Sequence, residues 1–455
     1  MLELAQANHI YGFEGTTAKT IFVIGFGGLA VLALIFAKMS LRNWLLAAVL
    51  FITSICPALN PYTLDRFYPT WLLPLQMQRA NIHLILGIIL SLMAIGQGSV
   101  SVRLFSAQHV LVLLLAVYCG MLRFIHESAE DGFAAVGFAI ATIPAVSITA
   151  SLSARSYDGC VGLLKVMMWA SVIWTFCASV QFVINPEYLV SAQGRFLGLL
   201  GNAQHVAAIM SVFGVVALWL FLNDKRLMPR LIWLGILAIN ILFIIWTGSR
   251  TGALMFCIGI GAVLYARIGK AVALLPVAGL LVWGLAFLAA ELKIGANLER
   301  LVSTEDTRQN VWSTLWSSAA ESPLIGVGFV DAGGSESSYL LAFAAYGIVA
   351  LGLTLLLAFW TMWQCFRLFT QRRLLPREYR PLADLYIGFC AMYFAGAGFE
   401  GYIHARSFSP QILLLTFASI GLWLRQQVAE NAAEQLPADE DPLPDAHPDL
   451  SLEHA

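Results

Sequence analysis

The sequence predicts an all-α fold: a polytopic transmembrane helix bundle of about 12–13 spans, with one large external loop containing short helices. Three observations predict it. Hydrophobic residues make up 59% of the 455 residues and charged residues only 12%, whereas a soluble domain carries about 25% charge; the mean hydropathy is +0.78. Whole segments are apolar on every face, where a soluble protein would show amphipathic stripes. These segments approach or exceed the roughly 20 residues that cross a bilayer.

In chain order the expected spans lie near 20–37, 43–60, 80–97, 107–122, 132–151, 160–184, 202–222, 230–247, 250–266, 271–290, 337–366, 383–399 and 408–425. The first 19 residues are polar and end at Lys19, and the apolar run that follows is long enough to span, so no cleavable signal peptide is expected. Seven cysteines fall in or beside apolar segments, without a CxxC pair or a neighbouring histidine cluster. That pattern indicates neither a zinc site nor a disulfide framework.

Basic residues set the expected orientation. One set of connections holds Lys38, Arg42, Arg103, Arg155, Lys165, Lys225, Arg226, Arg230, Arg267, Lys270, Arg367, Arg372, Arg373, Arg377, Arg380 and Arg425. It is richer and its connections are short, so it is expected to face the cytoplasm. The longest connection, about residues 291–336, then lies outside, and long ordered connections tend to carry function. The formal net charge of -1 gives no basic field for nucleic acid. Three parts are expected: N-terminal spans (1–190), a core with the external loop (191–425), and a disordered acidic tail (426–455) rich in Pro, Ala, Asp and Glu.

Three of the external segments, those able to carry chemistry, each hold an arginine of interest. In GRFLGLLGNAQH, Arg195 precedes a span that Asn202 is placed to cap, with Gln204 and His205 in the first turn. In WTGSRTG, Arg250 lies in a connection of a few residues, where a charge near hydrocarbon is costly and faces a cavity or a partner. In the long loop, Ser303 and Asp306 resemble a capping box, and Arg308, Trp312, Leu315 and Ala319 follow at helical spacing on one face. Glycines 326, 328, 333 and 334 then permit tight turns, and Glu336 stands just before a long apolar helix, where a carboxylate is favoured by the macrodipole. Capping that helix, pairing with an arginine and facing a substrate are all open to Glu336. Guanidinium forks match phosphate oxygens bidentately, so three such arginines suit an anionic diphosphate. No DxD, histidine pair or Walker-type loop is present, so neither a metal nor a cofactor is expected, and arginines would neutralise the diphosphate.

From about Arg195 to Gly352 the chain resembles the O-antigen ligase and O-antigen polymerase superfamily. The resemblance rests on GRFLGLLGNAQ, TGSRTG, and a loop reading TRQNVW, ESPLIGVGF and ESSYLLAFAAYGIVALG, in that order. It implies an all-helical enzyme at the periplasmic face of the bacterial inner membrane. Such enzymes transfer glycan from undecaprenyl diphosphate without a metal. Implied partners are that lipid-linked glycan, a glycan or lipid acceptor, membrane lipids, and a chain-length regulator or other assembly proteins. Arg250 and Arg308 fall on the family's diphosphate-binding arginines, and Arg195 is expected to join them as a third contact. Ligases read His-Asn-x-Tyr-Leu after the loop glycines. Here Glu336, Ser337, Ser338, Tyr339 and Leu340 stand there, which implies substrate contact for Tyr339 and replaces the ligase histidine by Glu336.

The resulting expectation is a metal-independent glycosyltransferase that polymerises O-antigen or exopolysaccharide repeat units. Glu336 is its expected general base, with Arg250, Arg308, Arg195, Tyr339 and His205 as substrate-binding residues. Two alternatives stay open: a ligase acting on lipid A–core or on protein, and a non-enzymatic lipid-glycan transporter.

Overall fold

Runs of Leu, Ile, Val, Ala and Phe, uninterrupted by charge, have no solvent-facing stripe and satisfy their backbone groups internally as helices. In the computed structural model the described residues are 40–55, 72, 75–76, 78–96, 104–184, 188–191, 194–268, 308–404 and 409–434. The expected spans at 20–37 and 271–290, and the Ser303–Asp306 pair, lie outside them. Among the described residues there are twelve α-helices and no strand: α1 (Leu41–Thr53), α2 (Arg79–Gly96), α3 (Ala107–His126), α4 (Ala129–Ser153), α5 (Tyr157–Ile184), α6 (Ala203–Asn223), α7 (Leu227–Thr247), α8 (Arg250–Ile268), α9 (Gln309–Glu321), α10 (Ser338–Thr370), α11 (Arg380–Ala397) and α12 (Ser409–Glu434). Seven of them (α3–α7, α10 and α12) are long and apolar enough to cross a membrane. The protein is an all-α, multi-pass membrane helix bundle.

Local chemistry sets the helix ends. Ser106 and His109 form a reciprocal capping box at α3, Ser128 caps α4, and the Asn202 side chain accepts from the Gln204 and His205 N–H groups at α6, as its position predicts. Gly248, at φ 60°, closes α7 in the left-handed conformation, and α8 begins two residues later.

The bundle has two chemically different ends. At one, Arg267 of α8 donates to the Leu222 carbonyl at the end of α6 (2.6 Å). There Trp219 Nε1 donates to the Pro381 carbonyl at the start of α11 (2.8 Å), and Arg372 pairs with Asp384 (2.6 Å). The arginine-rich connections gather here. At the other end lie the starts of α6, α8 and α10, the end of α11, and the helix α9.

Helix α10 is broken where a single span was expected. At Gly347 the backbone takes φ 78° and ψ -173°, a region in effect reserved for glycine. The preceding loop fills the break: Ile348 N–H donates to the Pro323 carbonyl (2.9 Å), Val327 N–H to that of Ala344 (2.9 Å) and Gly328 N–H to that of Ala345 (3.0 Å). Non-helical backbone among spanning helices is tolerated when protein satisfies its polar groups in this way. A Cβ on Gly326 would stand 2.3 Å from the Ala345 carbonyl carbon, so the loop glycine is needed for that close approach.

The expected disordered tail needs correction at its start. Helix α12 runs on through residues 426–434, because Gln, Ala and Glu there are good helix formers and no Gly or Pro intervenes before Pro437. Residues 435–455 lie outside the described part.

Candidate functional site

The site is built on α9. Arg308 is the residue on which that helix starts, and it makes no side-chain cap bond. Leu315 and Ala319, on the face read from the sequence, are buried and hold the helix against the bundle. The Arg308 guanidinium is thereby aimed inward. Its Nη2 donates to Thr251 Oγ1 (2.7 Å) and to Glu400 Oε1 (3.1 Å). Its Nε stands 3.8 Å from Glu336 Oε2. The guanidinium carbon lies 5.4 Å from the centre of the Phe399 ring, within cation–π range. The Thr251 hydroxyl in turn donates to Glu400 Oε1 (3.0 Å), closing a triangle of Arg308, Thr251 and Glu400.

Backbone straps hold the two carboxylates on either side of this cation. Trp312 Nε1, one turn along α9, donates to the Glu336 carbonyl (3.1 Å). Ser338 Oγ donates to the Glu400 carbonyl (2.6 Å) and accepts from the Ile403 N–H (3.2 Å). Gly401 N–H donates to the Ser335 carbonyl (2.5 Å). The connection after α11 is therefore tied to the segment before α10. The cap of α10 falls to Ser337, whose hydroxyl accepts from Leu340 N–H (3.3 Å). Instead of capping the helix, the Glu336 carboxylate pairs with Arg308.

Glu336 and Glu400 differ in exposure. The Glu336 side chain is 24% exposed and that of Glu400 1%. Burial pushes the Glu400 carboxyl up to about 7, against the opposing pull of Arg308 and the Thr251 hydrogen bond, with the neighbouring Glu336 adding to the rise. The cluster thus combines one cation, one reachable carboxylate and one buried acid that titrates near neutrality.

The other expected arginines lie on or against the stretch 247–251, which includes Thr251. Arg195 Nε donates to the Thr247 carbonyl (2.9 Å), and its neighbour Phe196 stacks on Phe243 and Trp246 (4.7 Å each), fixing that loop on the end of α7. Arg250 opens α8, next to the Thr251 that Arg308 contacts. Three segments far apart in sequence therefore converge on the short stretch 247–251. Two expected residues do not join the cluster. The Tyr339 hydroxyl donates to the Phe394 carbonyl (3.2 Å) and is engaged with α11. His205 sits in the first turn of α6, and no side-chain contact among the described residues joins it to Arg308, Glu336 or Glu400.

Glu400 is the functional candidate that sequence reasoning missed. The signal resembled the one that marked Arg250: a charge, flanked by glycines 398 and 401, in a short connection between two expected spans. Among the described residues no group of three or more His, Cys, Asp or Glu side chains is placed to hold a metal ion. No protein-family model matches this chain, and no curated protein matches it.

Proposed function

We propose that the protein is a membrane glycosyltransferase that polymerises glycan repeat units from undecaprenyl-diphosphate donors at the periplasmic face of the bacterial inner membrane. The observation that carries the reading is the Arg308 cluster: a guanidinium held by Thr251 and Glu400 beside the partly exposed Glu336, with Arg195 and Arg250 on the adjoining stretch. The arginine-rich opposite end of the bundle supports a cytoplasmic assignment for that end, and so an external one for the cluster.

In the proposed step an acceptor hydroxyl attacks the anomeric carbon of the donor glycan. The bond from that carbon to the diphosphate oxygen breaks, and undecaprenyl diphosphate leaves with the electron pair. Arginine forks meet its charge. The hydroxyl proton passes to Glu336, the carboxylate that a substrate can reach. Glu400 and Thr251 hold the Arg308 guanidinium in place and are positioning residues. Purified protein with lipid-linked repeat units tests the reading: lengthened glycan on the diphosphate lipid supports polymerisation. Transfer to lipid A–core or protein would replace it with the ligase reading.

A second reading has its own support. A buried acid titrating near 7 and paired with an arginine, beside a broken helix, is also what a proton-coupled lipid-glycan transporter would use. Movement of labelled lipid-linked glycan across vesicles, with no covalent product, would favour that reading.

A further inference from the structure

The loop that bonds across the break in α10 has an exposed apolar tip. Residues 322–330, SPLIGVGFV, carry no charge and are bracketed by Glu321 and Asp331. Leu324 is 72% exposed, Ile325 42% and Val330 68%. Neighbouring exposed apolar side chains mark a surface that meets a partner or a membrane.

The exposure pattern of α10 decides between them. Its exposed large apolar side chains run from Ile348 to Phe369, and none lies between Ser338 and Gly347. The run spans about 33 Å of helix, close to the roughly 30 Å of a bilayer's hydrocarbon core. The lipid-facing part of α10 therefore begins at the break and crosses the membrane by itself. Gly347 marks the hydrocarbon edge.

The tip is held at that level. Ile348 N–H donates to the Pro323 carbonyl (2.9 Å), which places Leu324 beside the first lipid-facing residue of α10. The tip's own backbone is bonded as well. Gly326 N–H donates to the Ser322 carbonyl (2.8 Å), and the Ile325 carbonyl accepts from His126 Nε2 (3.1 Å). Irregular backbone reaches membrane depth only when its polar groups are met in this way. Trp316 is 61% exposed and its ring stands edge-on to that of Phe343 (6.0 Å), one turn outside the break. Tryptophan rings favour that membrane–water boundary.

We propose that this tip is a membrane anchor: Leu324 and Ile325 insert among the lipid acyl chains at the edge of the leaflet on the Arg308 side. Lipid is the occupant because the patch continues the lipid-facing surface of α10 through Ile348 and Val349, exposed at 46% and 47%. Helix α9 leads from Arg308 to the base of the tip, so the anchor fixes that helix, and with it the guanidinium, relative to the bilayer. The anchor stands apart from the transfer reading.

The test reads the depth of the tip. Full-length protein in nanodiscs, with its native cysteines replaced, carries Leu324→Cys, Val349→Cys or Asn310→Cys, each labelled with a nitrobenzoxadiazole dye. Lipids spin-labelled near the top of the acyl chain should quench the dye at position 324 as they do at 349, and about threefold or more strongly than at 310. Aqueous iodide should quench only the dye at 310. Ile325→Cys serves if Leu324→Cys does not insert. Equal iodide quenching at 324 and 310 would place the tip in water and overturn the anchor. Protection of position 324 from both quenchers would overturn it too, giving the patch to protein, either another segment of the chain or a second copy. No turnover is read, so failure of the transfer reading leaves the outcome unchanged.

Discussion

Arg308 and Glu400 lie 92 residues apart in sequence and meet at 3.1 Å, with Thr251 bonded to both. The pair brings a loop helix, the start of α8 and the connection after α11 to one point. It is nearly dry on the carboxylate side. A buried ion pair is not by itself a source of stability, since desolvation offsets its attraction. Its effect is to fix the guanidinium in one direction, as a diphosphate site needs.

The raised pKa of Glu400 gives a signed prediction. Its folded value, about 7, lies above the ordinary 4.5, so the fold favours the protonated carboxyl. That contribution is fully present below about pH 4.5 and is lost as the pH rises through 7. Its size is about 3 kcal/mol, at about 1.4 kcal/mol per pH unit. The melting temperature should therefore fall from pH 5 to pH 8. Glu400→Gln, which mimics the protonated form, should flatten that profile. An unchanged slope in the variant would assign the pH dependence elsewhere.

Replacing Arg308 should not be structurally silent. Arg308→Ala leaves Glu400 buried beside Glu336 without its cation. Breaking a buried pair on one side costs roughly 3–5 kcal/mol, less at low pH where Glu400 is protonated. Arg308→Lys should retain more stability than activity, because an ammonium cannot reproduce the fork. Melting curves at pH 5.5 and 8 and a transfer assay on the same preparations check both statements. Equal melting of wild type and Arg308→Ala at pH 8 would contradict the pairing.

Much of this arrangement was legible in the sequence, and for a physical reason. A spanning helix must be apolar along its whole length, so the ends of α3 through α7 fall within a few residues of the expected limits. The face Arg308, Trp312, Leu315 and Ala319 was readable because helical spacing alone puts those residues together. Glu400 was not, because its partners come from residues 251 and 308 and only the tertiary fold joins them. Nor was the break at Gly347: a glycine in an apolar run looks ordinary until the loop at Pro323–Gly328 is seen to bond across it.

That break is itself testable. A Cβ at residue 347 would stand 2.1 Å from the Leu324 carbonyl oxygen, in a backbone region that costs a non-glycine residue about 1–3 kcal/mol. Gly347→Ala should therefore lower the melting temperature. Gly352→Ala, where nothing lies within 4 Å of the added carbon, should be neutral or mildly stabilising. The contrast between the two isolates the loop contact from general helix propensity, and equal effects would refute the bond across the break.

Sidedness is checked by cysteine labelling in whole cells. Single cysteines at Ser317 on α9 and at Gln371 beyond α10 report opposite ends of the bundle, in a background with the native cysteines replaced. Ser317→Cys should react with a membrane-impermeant maleimide and Gln371→Cys only after permeabilisation. The reverse pattern would place the Arg308 cluster in the cytoplasm and end the periplasmic transfer reading.

The last prediction separates the two carboxylates. Both lie beside Arg308, but only Glu336 has a side chain partly open to a substrate, and Glu400 is committed to Thr251 and the guanidinium. A diphosphate leaving group departs unprotonated once cations neutralise it, so the proton to be managed belongs to the acceptor hydroxyl. A general base contributes roughly 10²–10⁴-fold. Glu336→Gln keeps the size and the acceptor oxygen of the side chain but cannot take up the proton. It should lower the turnover number by that factor while donor binding, read by titration of the lipid diphosphate, changes little. Glu400→Gln retains a hydrogen bond to Thr251 and should shift the pH profile of turnover more than its maximum, since it acts on the base only through Arg308. If Glu336→Gln turns over normally and Glu400→Gln does not, the roles are exchanged, and the buried acid is the base.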